Sequence, residues 1–298
     1  MHNGRAASAL RALLSKEARG KRTLVMGILN VTPDSFSDGG RYSDTETAVL
    51  HGLRMAEEGA DIIDVGGEST RPATFAAGTG LSAEAELNRV EPVVRRLAKR
   101  LPGMPISIDT YKASVADGAM RAGACMVNDI SALRADPDMA RVVARYGAPV
   151  CLMHLPGLPM AISGMAEPLS EVMPAIKAHL EQRVEDAKRA GIEDVQIVLD
   201  PGVGFGKNVL QNLEIMRSLK DLTVIGYPLL VGASRKSTIG HVLGGLSAEE
   251  RLEGTAATVA ISIAHGASIV RVHDVKAMVR VARMTDAIVR GWPPESEV

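Results

Sequence analysis

The sequence is short of aromatic residues, of net charge and of long apolar runs, and each shortage excludes a class of function. Aromatic residues make up 3% of the 298 residues, which argues against the base-stacking platforms of proteins that bind single-stranded nucleic acids. The formal net charge is -1 and no block of like charge occurs, so neither nucleic acids nor anionic membranes are indicated as partners. No apolar run reaches the roughly 18 residues that a membrane-spanning helix needs.

Cysteine is equally scarce. The two cysteines, Cys125 and Cys151, lie in apolar runs and lack CxxC spacing. This pattern predicts buried free thiols in a reducing cytoplasm. Residues 1–23 lack the continuous apolar core of a signal peptide, and we predict a frayed or peripheral N-terminal extension there.

The sequence does contain a repeated alternation of apolar runs and amphipathic segments. The near-continuous apolarity of the runs is typical of parallel strands that are buried on both faces. The eight apolar runs are 24–30, 61–65, 105–109, 126–130, 149–154, 196–200, 229–233 and 269–273. The amphipathic segments are 45–58, 82–100, 112–122, 137–146, 171–190, 210–220, 248–264 and 276–290.

This alternation predicts the fold class. Several amphipathic segments end just before a glycine, such as Gly123 and Gly147, which is typical of helix C-caps. Eight strand–helix repeats with short connections predict an α/β fold, the (β/α)8 TIM barrel; a doubly wound open sheet is the alternative. No Pro/Gly/Ser-rich linker divides the chain, so we predict one domain over residues 24–292 and a tail over 293–298.

Polar side chains stand at the end of every predicted strand, which is where the active sites of such barrels lie. A structural protein would have little reason to bury this set. The three phenylalanines, Phe36, Phe75 and Phe205, fall in predicted loops on the same face. The main polar residues at the strand ends are Asn30, Asp64, Asp109, Asn128, Asp129, His154, Asp200, Lys236, Arg271 and His273.

Two of these side chains predict an anion site. Arg271 and His273 lie two residues apart on one strand, so they face the same side. The segment 234–237, Ser-Arg-Lys-Ser, follows the neighbouring strand, and phosphate sites in barrels often lie after strands seven and eight. A structural ion-pair cluster is the alternative. Asp274 faces the other way, and we predict a structural role for it.

Four further residues predict a site for a flat nitrogen heterocycle. Asp109, Asn128, Asp200 and Lys236 supply two carboxylates, an amide and an ammonium. A carboxylate accepts two N–H bonds from an amino-pyrimidine edge, and lysine donates to a ring carbonyl. Each residue alone could instead be a satisfied buried polar group.

The sequence gives only weak evidence for a metal-binding motif or a phosphate-binding loop. The segment 202–207, Gly-Val-Gly-Phe-Gly-Lys, matches neither phosphate-loop template, so we interpret it as a tight turn near a ligand, with Asp200 as the working group. No HxH or HExxH pattern occurs. A diphosphate ligand would still recruit Mg2+, which takes few protein ligands, and Asn30 is the predicted oxygen ligand.

These segments together resemble the dihydropteroate synthases, a folate-pathway family of pterin-binding (β/α)8 barrels. The resemblance spans about residues 24–280 and rests on MGILNVTPDSFSDGG (26–40), DIIDVGGESTRP (61–72), SIDT (107–110), NDI (128–130), PVCLMH (149–154), LDPGVGFGKN (199–208), SRKS (234–237) and RVHDV (271–275). It implies a cytoplasmic homodimer that joins 6-hydroxymethyl-7,8-dihydropterin diphosphate to 4-aminobenzoate, with Mg2+ as cofactor and sulfonamides as competitive inhibitors.

The resemblance also implies roles for individual residues. The catalytic residues would be Asp109, Lys236, Arg271 and His273. The pterin would be held by Asp109, Asn128, Asp200 and Lys236, with Ile130, Met153, Phe205 and Gly232 around it. The diphosphate would be held by Thr70, Arg71, Arg271 and His273, with Asn30 on Mg2+. The aminobenzoate pocket would be formed by Phe36, Pro72 and Ser237.

The sequence departs from the family pattern in two loops. The loop that runs from Ala73 to Gly80 is about four residues longer than usual, and we predict that Phe75 there alters how sulfonamides compete with aminobenzoate. Leu155 and Pro156 replace the usual residues after His154, so contacts of that loop are not transferred. Two alternatives stay open: a pterin-dependent methyltransferase and a catalytically inactive pterin-binding protein.

Overall fold

The computed structural model describes residues 2–15, 20–31, 41–68, 80–157 and 168–292. Eight parallel strands form one sheet in the order β6-β5-β4-β3-β2-β1-β8-β7. A parallel bridge between Leu199 and Leu229 joins the two outer strands, so the sheet closes almost fully into a barrel. The strands are β1 Leu24–Asn30, β2 Ile62–Gly66, β3 Ile106–Asp109, β4 Met126–Asp129, β5 Val150–Met153, β6 Ile197–Asp200, β7 Leu230–Val231 and β8 Ile269–Val272.

Helices follow the strands and surround the barrel, which confirms the predicted (β/α)8 fold. The α-helices are α1 His2–Leu14, α2 Arg41–Glu57, α3 Ala83–Arg100, α4 Ala113–Ala122, α5 Met139–Tyr146, α6 Val172–Arg189, α7 Val209–Ser218, α8 Ser237–Val242, α9 Leu252–Ala264 and α10 Val275–Arg290. Short 3-10 turns occupy Leu169–Glu171, Asp194–Gln196, Leu219–Ile225 and Ala248–Glu250.

Two helix ends show how main-chain groups are capped, and one of them is a C-cap glycine that the sequence predicts. The Ser82 hydroxyl accepts a hydrogen bond from the Ala85 amide at the start of α3, which satisfies a main-chain donor that the helix leaves unpaired. Gly147 adopts a left-handed conformation after α5, where a side chain would be strained. No helix in the described ranges is long and apolar enough to cross a membrane.

Apolar side chains form two large layers, apart from a small cluster at the candidate site that is described below. The larger layer lies between the strands and the surrounding helices, with members such as Leu29, Val127 and Leu152. A smaller layer contains Met26, Ile62 and other strand residues that fill the barrel interior toward its amino-terminal end. Both cysteines are free and buried in the smaller layer, as predicted.

The N-terminal extension differs from our expectation. We predicted a frayed or peripheral segment, but residues 2–14 form a helix. Leu10 and Leu14 of that helix join the interior layer, and Leu10 is fully buried. The apolar spacing of Ala6, Ala7, Leu10 and Leu14 is helical. The helix therefore covers the amino-terminal end of the barrel, where the interior layer would otherwise meet water.

We expect Leu10→Ala to destabilise the protein by about 2–5 kcal/mol, because removal of a buried leucine side chain leaves a cavity in the layer under the barrel. Leu50→Ala is the matched control, since Leu50 is 52% exposed on α2. Urea unfolding of both variants measures the difference. Equal stability of the two variants would contradict the assignment of α1 to the core.

Candidate active site

Strand register brings polar side chains to one level at the carboxyl ends of the strands. Asn30 pairs with Gly66, Gly66 with Asp109, and Asp109 with Asn128. A side-chain carbon on Gly66 would lie 3.8 Å from the Asn30 Oδ1 and 3.5 Å from the Asp109 Cβ. Asn30 and Asp109 therefore flank a gap that glycine leaves on the inner face of the barrel.

The side chain of Arg271, on β8, reaches across the barrel interior and links β8 to β2 and β3. Its Nε donates to the Asp64 Oδ2 at 2.6 Å, and its Nη2 donates to the Asp109 Oδ2 at 2.7 Å. The Asn128 Nδ2 donates to the same Asp64 oxygen at 3.0 Å. Asp64 is fully buried. The predicted residues Arg271, Asp109 and Asn128 thus form one network, whose centre is a residue to which we had assigned no role.

A signal for Asp64 was present in the sequence. The residue is a carboxylate inside the apolar run Ile62–Gly66, and a buried carboxylate requires a cation or hydrogen-bond donors. Its partner Arg271 is 207 positions away, so the sequence pattern alone did not identify it.

The network buries two carboxylates beside one guanidinium, and this setting shifts the pKa of the Asp109 carboxyl. Burial raises the pKa of Asp109 to about 7, while Arg271 lowers it and Asp64 raises it further. Burial alone would lower the pKa of Arg271, but the Asp64 and Asp109 carboxylates raise it above its ordinary value. The Oδ1 atoms of Asp64 and Asp109 are buried and accept no hydrogen bond from any described residue, so they retain acceptor capacity for a ligand.

Asp200 and Lys236 lie on the opposite side of the mouth. The Asp200 Oδ1 accepts a hydrogen bond from the Gly202 amide at 2.7 Å, and burial raises the pKa of this carboxyl. The Lys236 Nζ donates to the Val203 carbonyl and lies 4.3 Å from the Phe205 ring centroid. Burial lowers the pKa of Lys236 to about 8, although Asp200 raises it.

The predicted apolar wall forms beside this pair. Ile130 and Met153 are buried in one cluster, against which Phe205 packs. Leu155 belongs to the same cluster and is fully buried, although its position departs from the family pattern. Tyr111 completes the cluster. Apolar faces next to carboxylate and ammonium groups suit a flat polar ring.

The predicted anion site is only partly as expected. The His273 Nδ1 lies 3.0 Å from the Ser234 Oγ, which also accepts from the His273 amide at 3.2 Å. Since that hydroxyl can donate to Nδ1, the Nε2–H of a neutral His273 is free to donate to a ligand. Burial lowers the pKa of His273 to about 3, as does nearby Arg271.

Arg235 was wrongly included in the anion site. Its guanidinium forms two hydrogen bonds with Asp274, at 3.0 and 2.6 Å, so its charge is already paired. Asp274 has the structural role that we predicted. Ser237 is exposed at the first residue of α8, and Gly232 lies beside the side chain of Arg271.

Several predicted residues cannot be placed. Phe36, Thr70, Arg71 and Pro72 lie outside the described residues, and so does Phe75 of the long second loop. Their roles stay predictions.

The donor set near Asn30 fits magnesium better than a transition metal. In the described ranges, no group of three or more His, Cys, Asp or Glu side chains could hold a metal ion. The Asn30 amide oxygen lies close to the gap beside Gly66. A single oxygen ligand is what Mg2+ needs when phosphate and water supply the others.

Comparisons with known proteins agree with this geometry. The family model described as "Pterin binding enzyme" matches residues 26–273. The dihydropteroate synthase of Bacillus subtilis is 48% identical over 90% of this chain and 89% of its own length. A Clostridium difficile dihydropteroate synthase, solved in the presence of pteroic acid, is 49% identical with a TM-score of 0.84 over 91% of this chain and 98% of its own. The Xanthomonas albilineans enzyme with 4-aminobenzoic acid is 42% identical with a TM-score of 0.83 over 92% and 97% of the two chains.

We expect Asp64→Ala to lower the free energy of unfolding by about 3 kcal/mol, since Arg271 and Asn128 each lose a buried acceptor. Asp274→Ala is the control, because the Arg235–Asp274 pair is partly exposed and such pairs contribute about 0–1 kcal/mol. Urea unfolding compares the two variants. The network would not be a stability element if Asp64→Ala were as mild as Asp274→Ala.

Proposed function

Because the chain belongs to the pterin-binding enzyme family, we infer that it is a dihydropteroate synthase. It joins 6-hydroxymethyl-7,8-dihydropterin diphosphate to 4-aminobenzoate and releases 7,8-dihydropteroate and diphosphate, which makes it a transferase of a non-methyl alkyl group. The observation that carries this conclusion is the convergence of Asp109, Asn128, Asp200 and Lys236 on one mouth of a barrel that matches synthases over most of its length. The similarity to synthases also disfavours the methyltransferase and the inactive binding protein.

The pterin half of the site follows from the hydrogen-bond directions. The Asn128 Nδ2 is directed to Asp64, so its Oδ1 remains as an acceptor for a pterin N–H. The Asp109 Oδ1 is a second buried acceptor, and the Asp200 carboxylate supplies a third. Lys236 donates to a ring carbonyl once its hydrogen bond to the Val203 carbonyl is exchanged or shared. The cluster of Ile130, Met153 and Phe205 covers the ring face.

The diphosphate half lies where Arg271 and His273 face the mouth. The guanidinium of Arg271 supplies the positive charge, and the neutral imidazole of His273 donates a hydrogen bond to the diphosphate. Thr70 and Arg71 supply further donors in this proposal. Preorganised donors of this kind stabilise charge that develops on a leaving group.

The reaction then needs no covalent enzyme intermediate. The bond between the pterin methylene carbon and the diphosphate oxygen breaks, and its electron pair leaves with diphosphate. The ionised Asp109 carboxylate stabilises the positive charge left on the pterin. The lone pair of the 4-aminobenzoate nitrogen forms the new carbon–nitrogen bond, and the nitrogen loses its proton to solvent. Phe36, Pro72 and Ser237 hold the aminobenzoate in this proposal, which would make sulfonamides its competitors.

We propose Mg2+ as the cofactor, with Asn30 as its protein ligand. When bound, the ion would neutralise charge on the diphosphate oxygens. The chain contributes the Asn30 amide oxygen, which lies next to Asp109 and the gap at Gly66. An ion held there would keep the diphosphate end of the substrate near Arg271.

We also propose the homodimer that the family resemblance implies. We infer that exposed apolar side chains on α7, on α8 and the residue that follows it, and on α9 form a surface for a second copy of the chain. Its exposed members are Leu210, Leu213, Val242, Leu243, Leu252 and Ile261. Large exposed apolar patches often mark interfaces. Sedimentation equilibrium against the monomer mass of 31.5 kDa tests this assignment.

The first experiment measures diphosphate release and dihydropteroate formation with Mg2+, with and without 4-aminobenzoate. We expect dihydropteroate only when both substrates are present, and we expect a sulfonamide to raise the apparent KM for 4-aminobenzoate. Binding of the pterin substrate without product would instead support the inactive binding protein or the methyltransferase.

We further expect pterin affinity to depend on the ionisation of Asp109. Its pKa is raised from 3.8 to about 7, so between these values the folded protein holds a proton that the unfolded chain has lost. Folded-state stability from this group is therefore greatest at low pH and falls as pH rises toward 7. The affinity for pterin should change with pH in the opposite direction and increase as pH rises, because only the ionised carboxylate accepts two N–H bonds.

The measurement is calorimetric titration of 6-hydroxymethylpterin between about pH 5 and pH 8. We expect the Kd to rise by up to about tenfold for each pH unit below 7, the limit for one proton. Asp109→Asn should bind more weakly, and its Kd should lack this acid dependence. A wild-type Kd that does not change with pH would remove Asp109 from the set of acceptors.

A further inference from the structure

Lys207 is a buried cation to which the proposed function gives no role. It ends the Gly-Val-Gly-Phe-Gly-Lys segment that matched no phosphate-loop template, and it is 9% exposed. Among the described residues it has no carboxylate within ion-pair distance. Its ammonium instead donates to three main-chain carbonyls, those of His154 at 3.2 Å, Gly202 at 2.9 Å and Phe205 at 3.0 Å.

The backbone of this loop is shaped around the ammonium. Gly202, Gly204 and Gly206 all have positive φ, at 69°, 81° and 58°, a conformation that favours glycine. A side-chain carbon on Gly202 would lie 2.1 Å from the His154 carbonyl oxygen. The loop therefore lies directly against the end of β5, and the carbonyls of both segments converge on Lys207.

The other side of the same loop forms part of the pterin site. Val203 supplies the carbonyl to which Lys236 donates, and the Phe205 ring lies under the Lys236 ammonium. A side-chain carbon on Gly204 would lie 2.6 Å from the Lys236 Cδ. Any displacement of residues 202–206 would therefore move both the Phe205 wall and the position of Lys236.

An ammonium suits this arrangement for a chemical reason. Without the ammonium, the buried His154 carbonyl and the part-buried Phe205 carbonyl would lose this donor, and the Gly202 carbonyl would keep only the Phe205 amide, 3.1 Å away. The three converging oxygens would also repel one another. Lysine supplies three donors from one point, whereas the planar guanidinium of arginine directs its donors differently. Burial lowers the pKa of Lys207 to about 7, while Asp200 raises it, so the cation is costly to bury in the absence of these contacts.

We propose that Lys207 is a positioning residue for pterin recognition, which fixes the loop of residues 202–206 by joining its carbonyls to the end of β5. This inference rests on the proposed function and refines it. Lys207 touches no substrate; it acts through Phe205 and Lys236. Removing its ammonium should weaken pterin binding and leave aminobenzoate binding unchanged.

Steady-state kinetics of Lys207→Met test the proposal, because methionine keeps an unbranched apolar stem as far as Cε and removes the ammonium with its three donors. We expect the KM for dihydropterin diphosphate to rise by about tenfold or more and the KM for 4-aminobenzoate to change by less than about twofold. Lys220→Met is the matched control, since Lys220 is an exposed lysine in the turn after α7; both of its KM values should equal those of the wild type.

A second variant covers the case in which Lys207→Met fails to fold. Gly204→Ala leaves Lys207 in place but presses a methyl group on Lys236, and it should give the same selective rise in the pterin KM. Hydrogen exchange should show faster exchange of the 202–206 amides in Lys207→Met than in Lys220→Met. A folded Lys207→Met with an unchanged pterin KM would overturn the proposal, as would a Gly204→Ala variant that behaves like wild type where Lys207→Met does not fold.

The two proposals fail in different ways. If wild type and Lys220→Met made no dihydropteroate, the proposed function itself would be wrong. In that case, calorimetric binding of 6-hydroxymethylpterin would test Lys207 without turnover. Equal Kd values for wild type and folded Lys207→Met would then reject the role of Lys207.

Discussion

The ion pairs of Arg271 with Asp64 and Asp109 fix the polar side chains at the carboxyl ends of the barrel strands. Two carboxylates on neighbouring strands, offset by two residues in the register, repel each other. We infer that β2 and β3 can hold them close together because a guanidinium from β8 reaches both. Since Asp64 also accepts from Asn128 on β4, one cation orders side chains of three other strands. Burial raises the pKa of the Asp109 carboxyl, and the neighbouring Asp64 carboxylate adds to this shift, so we expect the network that stabilises the site also to make its ligand binding sensitive to pH.

The barrel separates stability from chemistry along its axis. At the amino-terminal end, α1 covers an interior layer of apolar side chains such as Met26 and Ile62. This layer is stabilised by burial and packing. Toward the carboxyl end, the interior residues on the same strands become Asp64, Asp109 and Asn128. Burial of these polar groups costs free energy unless each finds a partner, and the apolar layers below and around them offset that cost.

The sequence predicted this organisation unevenly. The eight strands and the level of Asp109, Asn128 and Arg271 followed from local patterns, because apolar runs and strand ends are visible within a few residues. The pairing of Asp64 with Arg271 and of Arg235 with Asp274 was not visible, since each pair joins distant segments. The N-terminal helix was missed for a related reason: its apolar face is short, and only the open end of the barrel gives it a partner.

Three cations near the mouth show how the surroundings of a charge determine its role. Arg271 is balanced by two carboxylates, so it is fixed in place whether or not a ligand is bound. Lys236 is held by one carbonyl and one aromatic ring, which are weaker partners that a ligand carbonyl can replace. Lys207 has three carbonyls and little exposure, so no donor is left for a ligand. In the proposed function, Arg271 therefore meets the diphosphate from a fixed position, whereas Lys236 exchanges a partner to bind the pterin carbonyl. The strength of that Lys236 contact then depends on a loop that Lys207 holds from the other side.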